Sequence, residues 1–455
     1  MSPRSATPAT PSRARAWRWS PRWCSAACSR ASSRSSSGST RRPPTGCSRC
    51  PTPPASSSTS STIDRVGPAV RESRCRMVEL PVGFRRFSRN GFVNYQLNRW
   101  YSLGYSRLQD LETAGREIRR VADNKPVFTK LAEAAVREGR WRNAAFAFRA
   151  AEFLTDPADP DKSVLYGRFV EAFDRGFADE GFERGLVPYG AGHLPTLRLR
   201  AVGHRRGTVV AHGGFDSFME EFFCFWRVLA DRGYDVVAFE GPGQGAAHRV
   251  HGLAHDHDWE KPTGAVLDHY GLEDVALLGI SFGGYWCVRA AAFDKRITRL
   301  IVDPPLYDLV AAAGPVLRRI LREMLARPAL LNWSIRLRMR AFPVLRHTVR
   351  QALFMTNQLD AEPSAAVQWL LGMNERHLSS ELVDQDVLLM GGEKDRFQPL
   401  KLFHLQRVAM VNAKSLSGRI FSSAEHAENH CQMGNLRLAL RVMADWLDGA
   451  PGASS

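Results

Sequence analysis

The chain has 455 residues, 44% of them hydrophobic and 24% charged, with a formal net charge of +16. That length and apolar fraction exclude a wholly disordered chain or a small disulfide-stapled one and allow a large core. The charge suggests a nucleic-acid binder, but residues 1–76 hold fourteen Arg, no Lys and two acids, a net of +12 that leaves only +4 for everything after them.

Residues 1–76 are rich in Ser, Arg, Pro and Ala, lack hydrophobic periodicity, and read as a disordered basic low-complexity segment. Their acid-poor composition also fits a transit peptide, whereas no apolar run fits a secretory signal. The composition turns globular abruptly at Met77, as a misassigned start site would produce. Cys24-x3-Cys28 and Cys47-x2-Cys50 approach zinc-ribbon spacing. No strand-forming residues surround them, so no metal is expected. The three later cysteines, Cys224, Cys287 and Cys431, sit in apolar or helical surroundings, which points to a reducing, cytoplasmic setting. No apolar run could cross a bilayer, and no membrane partner is expected.

Residues 77–190 carry helix-period apolar patterns without strand alternation and read as a helical cap domain. Helices are expected near 92–101, 108–121, 128–139, 142–154 and 165–177. The third and fourth suggest one tetratricopeptide-like pair, with no second copy at a fixed period. Trp100, Tyr101 and Tyr105 are read as core, with substrate contact as the other reading.

From 191 to 455 strands alternate with helices, the signature of a mostly parallel sheet. A hairpin arm or edge strand is expected at 194–202, then a buried strand from Gly207 that ends in His212-Gly213-Gly214-Phe215-Asp216. Flexible glycines there suit an oxyanion loop, with the N–H groups of Phe215 and Phe282 as donors. Asp216, Glu220 and Glu221 read as a solvated helix start beside it. Gly241-x-Gly243-x-Gly245 follows the next strand, but its spacing is not that of a dinucleotide fingerprint and no helix is expected directly after it. His255-Asp256-His257-Asp258 resembles a ligand cluster; the plainer reading is a solvated loop with Asp258 capping the next helix. No cofactor is expected.

Residues 275–278 then form a buried strand, followed by Gly279-Ile280-Ser281-Phe282-Gly283 and a helix from 284 to 293. Strand, sharp turn and helix are the setting in which G-x-S-x-G exposes a nucleophilic serine, here Ser281. Residues 306–382 read as a basic helical lid inserted over the C-terminal edge of the sheet. After a strand at 387–390 comes Asp395, placed to hold an imidazole, with Glu393 and Asp303 as alternates. The loop at 422–430 offers His430 and His426 as the base, and His430 lies nearer the closing helix with its stripe of Leu436, Leu440, Met443 and Leu447.

The chain order Ser281, Asp395, His430 matches that of α/β-hydrolases. Together with His212-Gly-Gly-Phe-Asp-Ser, Phe239-Glu-Gly-Pro-Gly-Gln-Gly, Trp259-Glu-Lys-Pro and Glu428-Asn-His-Cys-Gln, it resembles the α/β-hydrolase branch with an N-terminal helical domain. That branch includes dihydroxypseudooxynicotine hydrolase, fungal polyketide-shortening hydrolases and fermentation/respiration switch esterases. The resemblance spans about 77–447. It implies an α/β-hydrolase fold with helices on both faces of the sheet, and cleavage of esters or of carbon–carbon bonds in ketones. Glu240 stands where many members carry Asp, and no functional effect is expected from it. The expected function is a serine hydrolase acting on a small-molecule ester, thioester or β-ketone, with a catalytically silent binding protein as the alternative. No specific nucleic-acid partner is expected, and homo-oligomers are compatible with the sequence.

Overall fold

In a computed structural model of the protein, the described residues are 80–312 and 314–449, and all of them fall within one compact unit. The basic segment 1–76, with its paired-cysteine spacings, lies outside the described residues.

Among the described residues five α-helices come first: α1 (Gly91–Ser102), α2 (Leu108–Glu117), α3 (Asn124–Arg137), α4 (Trp141–Phe153) and α5 (Asp161–Gly176). The Asn90 side chain caps α1 by accepting the N–H groups of Phe92 and Val93. The chain then leaves helix earlier than the sequence suggests. A strand, β1 (Glu183–Tyr189), lies inside the span expected to be helical and pairs with β2 (Gly192–Leu199) in a tight hairpin. Gly190 opens that turn at φ 54°. Gly185 and Pro188 hide β1 from a pattern reading. Pro188 is tolerated because β1 is an edge strand, and Gly185 gives room to the hydroxyl groups of Tyr270 and Thr196. The arm expected at 194–202 is therefore one strand in from the edge.

The alternating section follows as β3 (Gly207–His212), α6 (Phe223–Asp231), β4 (Tyr234–Phe239), α7 (Gly245–Arg249), α8 (Glu260–Tyr270), β5 (Val275–Ile280), α9 (Gly283–Phe293) and β6 (Ile297–Asp303). Contrary to expectation, the short α7 begins directly at the last glycine of Gly241-x-Gly243-x-Gly245. Between β6 and β7 (Asp386–Gly392) six α-helices are inserted among the described residues: α10 (Leu309–Ala312), α11 (Pro315–Leu325), α12 (Pro328–Ala341), α13 (Pro343–Met355), α14 (Pro363–Gly372) and α15 (Glu375–Leu378). The chain closes with α16 (Leu400–Ala409), β8 (Ser415–Phe421) and α17 (Leu436–Leu447).

The eight strands among the described residues form one sheet in the order β1-β2-β4-β3-β5-β6-β7-β8. β1 and β2 join antiparallel, and every pairing from β4 through β8 is parallel. Because successive side chains in a strand point to opposite faces, β5 feeds two cores. Ala276, Leu278 and Ile280 join one with α1 to α6 and α17. Val275 and Leu277 join the other with α8, α9, α16 and the inserted helices α12 to α14. The N-terminal helices thus share a continuous core with one sheet face, and the insertion shares one with the opposite face.

Phe173 on α5 shows what holds the first layer. It is fully buried, stacks on Phe177 with centroids 4.4 Å apart, and meets Phe223 of α6 edge-on at 5.5 Å. Phe173→Ala is expected to lower the unfolding free energy by about 3–5 kcal/mol, through lost transfer energy plus an unfilled cavity. Chemical denaturation would read this as a lower midpoint at unchanged m-value.

Candidate active site

Ser281 sits between the end of β5 and the start of α9 at φ 60°, a left-handed conformation rare for a residue with a Cβ. Its N–H donates to Asp303 O on neighbouring β6 at 2.7 Å, and its carbonyl accepts the Gly284 N–H at 2.8 Å, so both sides of the turn are tied. The flanking glycines are required by close approach. A Cβ on Gly279 would collide with Gly283 O and lie 2.5 Å from Cys287 Sγ; one on Gly283 would lie 2.8 Å from Gly213 O; one on Gly284 would collide with Pro304 O.

His430 arrives from the loop between β8 and α17. Its Nε2 lies 2.9 Å from Ser281 Oγ and its Nδ1 lies 2.7 Å from Asp395 Oδ2. Asp395 Oδ1 accepts the N–H groups of Phe397 and Gln398, both at 2.8 Å, which fixes the carboxylate plane. Gly392, at the end of β7, carries no side chain that would strike the carbonyls of Glu428 and Asn429, so the loops bearing Asp395 and His430 can touch. Two of the alternates stand elsewhere. His426 is exposed. Glu393 is exposed and accepts the Ser423 N–H at 2.9 Å.

Asp303 is fully buried, and neither carboxyl oxygen has a hydrogen-bond partner among the described residues. Burial pushes its pKa up to about 7. The Gln432 amide, whose own polar atoms also fall outside hydrogen-bond geometry, offsets this only in part. Below about 3.8, the ordinary value, Asp303 is protonated whether the chain is folded or not. Between there and about 7 the unfolded chain releases the proton while the folded chain keeps it. Stability should therefore fall as pH rises through that window and level off above it. Asp303→Asn is expected to flatten that slope and to be more stable than wild type above neutrality, by roughly 4 kcal/mol at most. Denaturant titrations across the window check this; parallel wild-type and variant slopes would show that Asp303 does not hold the proton.

The glycine loop after β3 runs against the elbow. A Cβ on Gly214 would lie 2.5 Å from Phe282 N and 2.7 Å from Ile280 O. Gln244, from the turn after β4, donates through Nε2 to the carbonyls of Gly213 and Gly214, each at 2.9 Å, while its Oε1 accepts the Gly241 N–H at 3.0 Å. With both carbonyls held by Gln244, the loop has one orientation. Among the described residues, neither Phe215 N–H nor Phe282 N–H donates to a protein acceptor. Gln244 is a positioning residue that the sequence reading passed over, and the glycines around it are required by close approach: a Cβ on Gly241 would lie 2.5 Å from the Trp259 ring and one on Gly243 2.6 Å from His255 Cβ.

The acids beside that loop are not a solvated helix start, as the sequence suggested. Asp216, Glu220 and Glu221 are buried. Arg149 of α4, itself fully buried, donates through Nε to Glu221 at 2.9 Å, pairs with Glu152 and hydrogen-bonds the carbonyl of Asp216. Arg99 of α1 also pairs with Glu221, and Lys162 and Arg249 pair with Glu152 at 2.9 and 2.7 Å. The N-terminal helices therefore grip the residue next to Phe215 through buried ions. Glu240 is buried beneath, pushed up to about 8 by burial and then by the charge of Glu220, and accepts the Ala246 N–H at 2.6 Å.

Aromatic rings flank the serine. Those of Phe215 and Phe282 lie 5.4 Å apart, and Trp369 of α14 stands 5.8 and 6.3 Å from them. On the other side Phe397, 43% exposed, lies 5.2 Å from His430 and 5.1 Å from Tyr95 of α1. Trp100 and Tyr105 are buried in the core. His255-Asp256-His257-Asp258 also departs from its solvated reading. His255 is half-buried and accepts the Trp369 Nε1–H at 3.0 Å, His257 stacks on the same indole, and Asp258 binds His377 at 3.0 Å instead of capping α8. Among the described residues no group of His, Cys, Asp and Glu is arranged to hold a metal.

A family model described as the alpha/beta hydrolase family matches residues 208–430. Hydrolase LUC6 of a Fusarium species is 32% identical over 240 residues, covering 48% of this chain and 55% of the relative. The 20-hydroxy-prefusarin hydrolase FUS2 of Gibberella moniliformis is 34% identical over 215 residues, covering 41% and 49%. The chain spans about half the length of these curated relatives. The solved structure of 2,6-dihydroxy-pseudo-oxynicotine hydrolase superposes with a TM-score of 0.56 at 22% identity, over 79% of this chain and 98% of that one, and so shares the fold. The sheet, the strained serine turn and the relatives agree on one assignment: the chain has the α/β-hydrolase fold, and its residues 208–430 match the α/β-hydrolase family.

Proposed function

We propose that the protein is a serine hydrolase acting on a small or medium carbonyl substrate, an ester, a thioester or the carbon–carbon bond of a β-ketone. One observation carries this reading: the unbroken relay from Ser281 Oγ to His430 Nε2 at 2.9 Å and from His430 Nδ1 to Asp395 Oδ2 at 2.7 Å. An ionised carboxylate only accepts, so Asp395 keeps the neutral imidazole proton on Nδ1 and leaves the Nε2 lone pair facing the serine hydroxyl. As Oγ bonds to the substrate carbonyl carbon, its proton passes to Nε2, and the N–H groups of Phe215 and Phe282 receive the oxyanion. His430 then returns the proton to the departing alcohol, thiol or carbanion. Water, deprotonated by the same nitrogen, releases the acyl group from Ser281 and restores the hydroxyl.

The relatives' names support hydrolysis and do not choose the bond. In this reading Tyr95 of the N-terminal helices and Trp369 of the insertion border the site from opposite sides, so these two helical sections select the substrate. A cytoplasmic setting suits the three described cysteines, which are free and buried. Fluorophosphonate labelling, followed by a hydrolysis screen of acyl esters, lactones and β-diketones with Ser281→Ala as control, tests the proposal. Labelling at Ser281 and turnover that the control abolishes support it; a folded protein that neither labels nor turns over is a silent binding protein.

A further inference from the structure

The inserted helix α12 carries apolar side chains on its outer side as well as its inner one. Its inner side buries Leu331, Asn332 and Ile335. At 100° per residue, Leu330, Trp333 and Leu337 fall within about 60° of one another on the outer side. All three are exposed, Trp333 by 62%. Phe342, just beyond the helix, is 60% exposed. Arg336 and Arg340 border this stripe on one flank and Arg338 on the other. The preceding helix α11, which packs against α12, repeats the pattern with Val316, 72% exposed, and Ile320 beside Arg319 and Arg322. Arg336 is paired with Glu362. Among the described residues Arg319, Arg322, Arg338 and Arg340 make no ion pair. From 315 to 355 the chain has nine Arg and a single acid, Glu323.

Isolated exposed apolar residues need no explanation, but a stripe of them along one helix and continued on the next marks a contact surface. The charge selects its occupant. A second copy would bring two strongly cationic faces together at an isologous contact, and a nucleic acid would satisfy the arginines while leaving Trp333 and Leu337 in water. An anionic bilayer offers both halves at once: phosphates at the level of the guanidinium groups and acyl chains for the stripe between them. The lack of a spanning helix among the described residues does not bear on this, since a helix lying in the interface needs none.

We propose that α11 and α12 form a peripheral docking surface for anionic lipid bilayers, with Trp333 and Leu337 inserted and the unpaired arginines on headgroup phosphates. The test is co-sedimentation of the full chain with vesicles of phosphatidylcholine alone and of phosphatidylcholine mixed with phosphatidylglycerol. Wild type is expected to bind the mixed vesicles only. Trp333→Ser combined with Leu337→Ser, which leaves the charge unchanged, should weaken that binding about tenfold or more. Arg338→Glu with Arg340→Glu should weaken it likewise. Thermal melts should not move, because these side chains are exposed. The basic residues 1–76 are present and unchanged in every arm, so a difference between wild type and the apolar pair belongs to α12. Failure of wild type to bind, or binding that the apolar pair leaves intact, would overturn the proposal. A concentration-dependent dimer abolished by Trp333→Ser would assign the face to a second copy instead. Retention on polyglutamate in preference to the mixed vesicles would assign it to an acidic protein.

Discussion

Replacing His430 with alanine is expected to lower kcat on any substrate the protein turns over by about a million-fold, and adding Ser281→Ala should reduce it no further. In the proposed mechanism the two residues share one proton, so removing either removes the same step. Asp395→Asn should lower kcat by about ten-thousand-fold, for a different reason. Asp395 Oδ1 is occupied by the N–H groups of Phe397 and Gln398. An asparagine must keep its oxygen there and turn its amide N–H toward His430 Nδ1. That forces the imidazole proton onto Nε2, where it faces Ser281 as a donor and cannot act as a base. The geometry of the site would be intact and its tautomer wrong. Losses for Ser281→Ala and His430→Ala that multiplied in the double variant would mean that the pair does not act as a unit, and the proposed mechanism would fail.

The parts legible in the sequence were those whose signal is local. The strand at 275–280 is apolar throughout because both its faces are covered, and the glycines around Ser281 are spaced by a turn that tolerates no Cβ. The stripe of Leu436, Leu440, Met443 and Leu447 is buried as its spacing suggests. What escaped depends on distant partners. β1 carries Gly185 and Pro188, residues that an edge strand accommodates but that erase its alternation. Asp216, Glu220 and Glu221 look like a solvated helix start until the cations facing them are known. Glu221 meets Arg149 across 72 residues and Arg99 across 122. The same holds for His255, whose neighbour Trp369 comes from the insertion 114 residues on. One local hint was present and unread: Arg149-Ala-Ala-Glu152 places an i,i+3 ion pair among buried phenylalanines, where charge is retained only if something further pairs with it.

That hint leads to the second large effect. Arg149→Met is expected to destabilise the protein by about 3–5 kcal/mol, because Glu221 is left with only Arg99 and Glu152 loses one of its partners in a dry interior. The same side chain also holds the carbonyl of Asp216, the residue after Phe215. If that contact keeps the Phe215 N–H aimed at the developing oxyanion, Arg149→Met should lower kcat by about a hundred-fold or more with a smaller change in KM, as loss of a single oxyanion donor does. Arg149→Lys keeps the charge but not the fork that reaches Glu152, Glu221 and the Asp216 carbonyl together, so it should recover more stability than activity. Lys162→Met supplies the control. It removes a cation from the same buried network without touching the loop, and should destabilise while leaving kcat near wild type. Both quantities must be read well below each variant's melting temperature, so that unfolding does not pass for lost catalysis. A folded Arg149→Met protein with full kcat would show that Gln244 alone fixes the loop, and that the helices before the sheet hold the fold together without taking part in the chemistry.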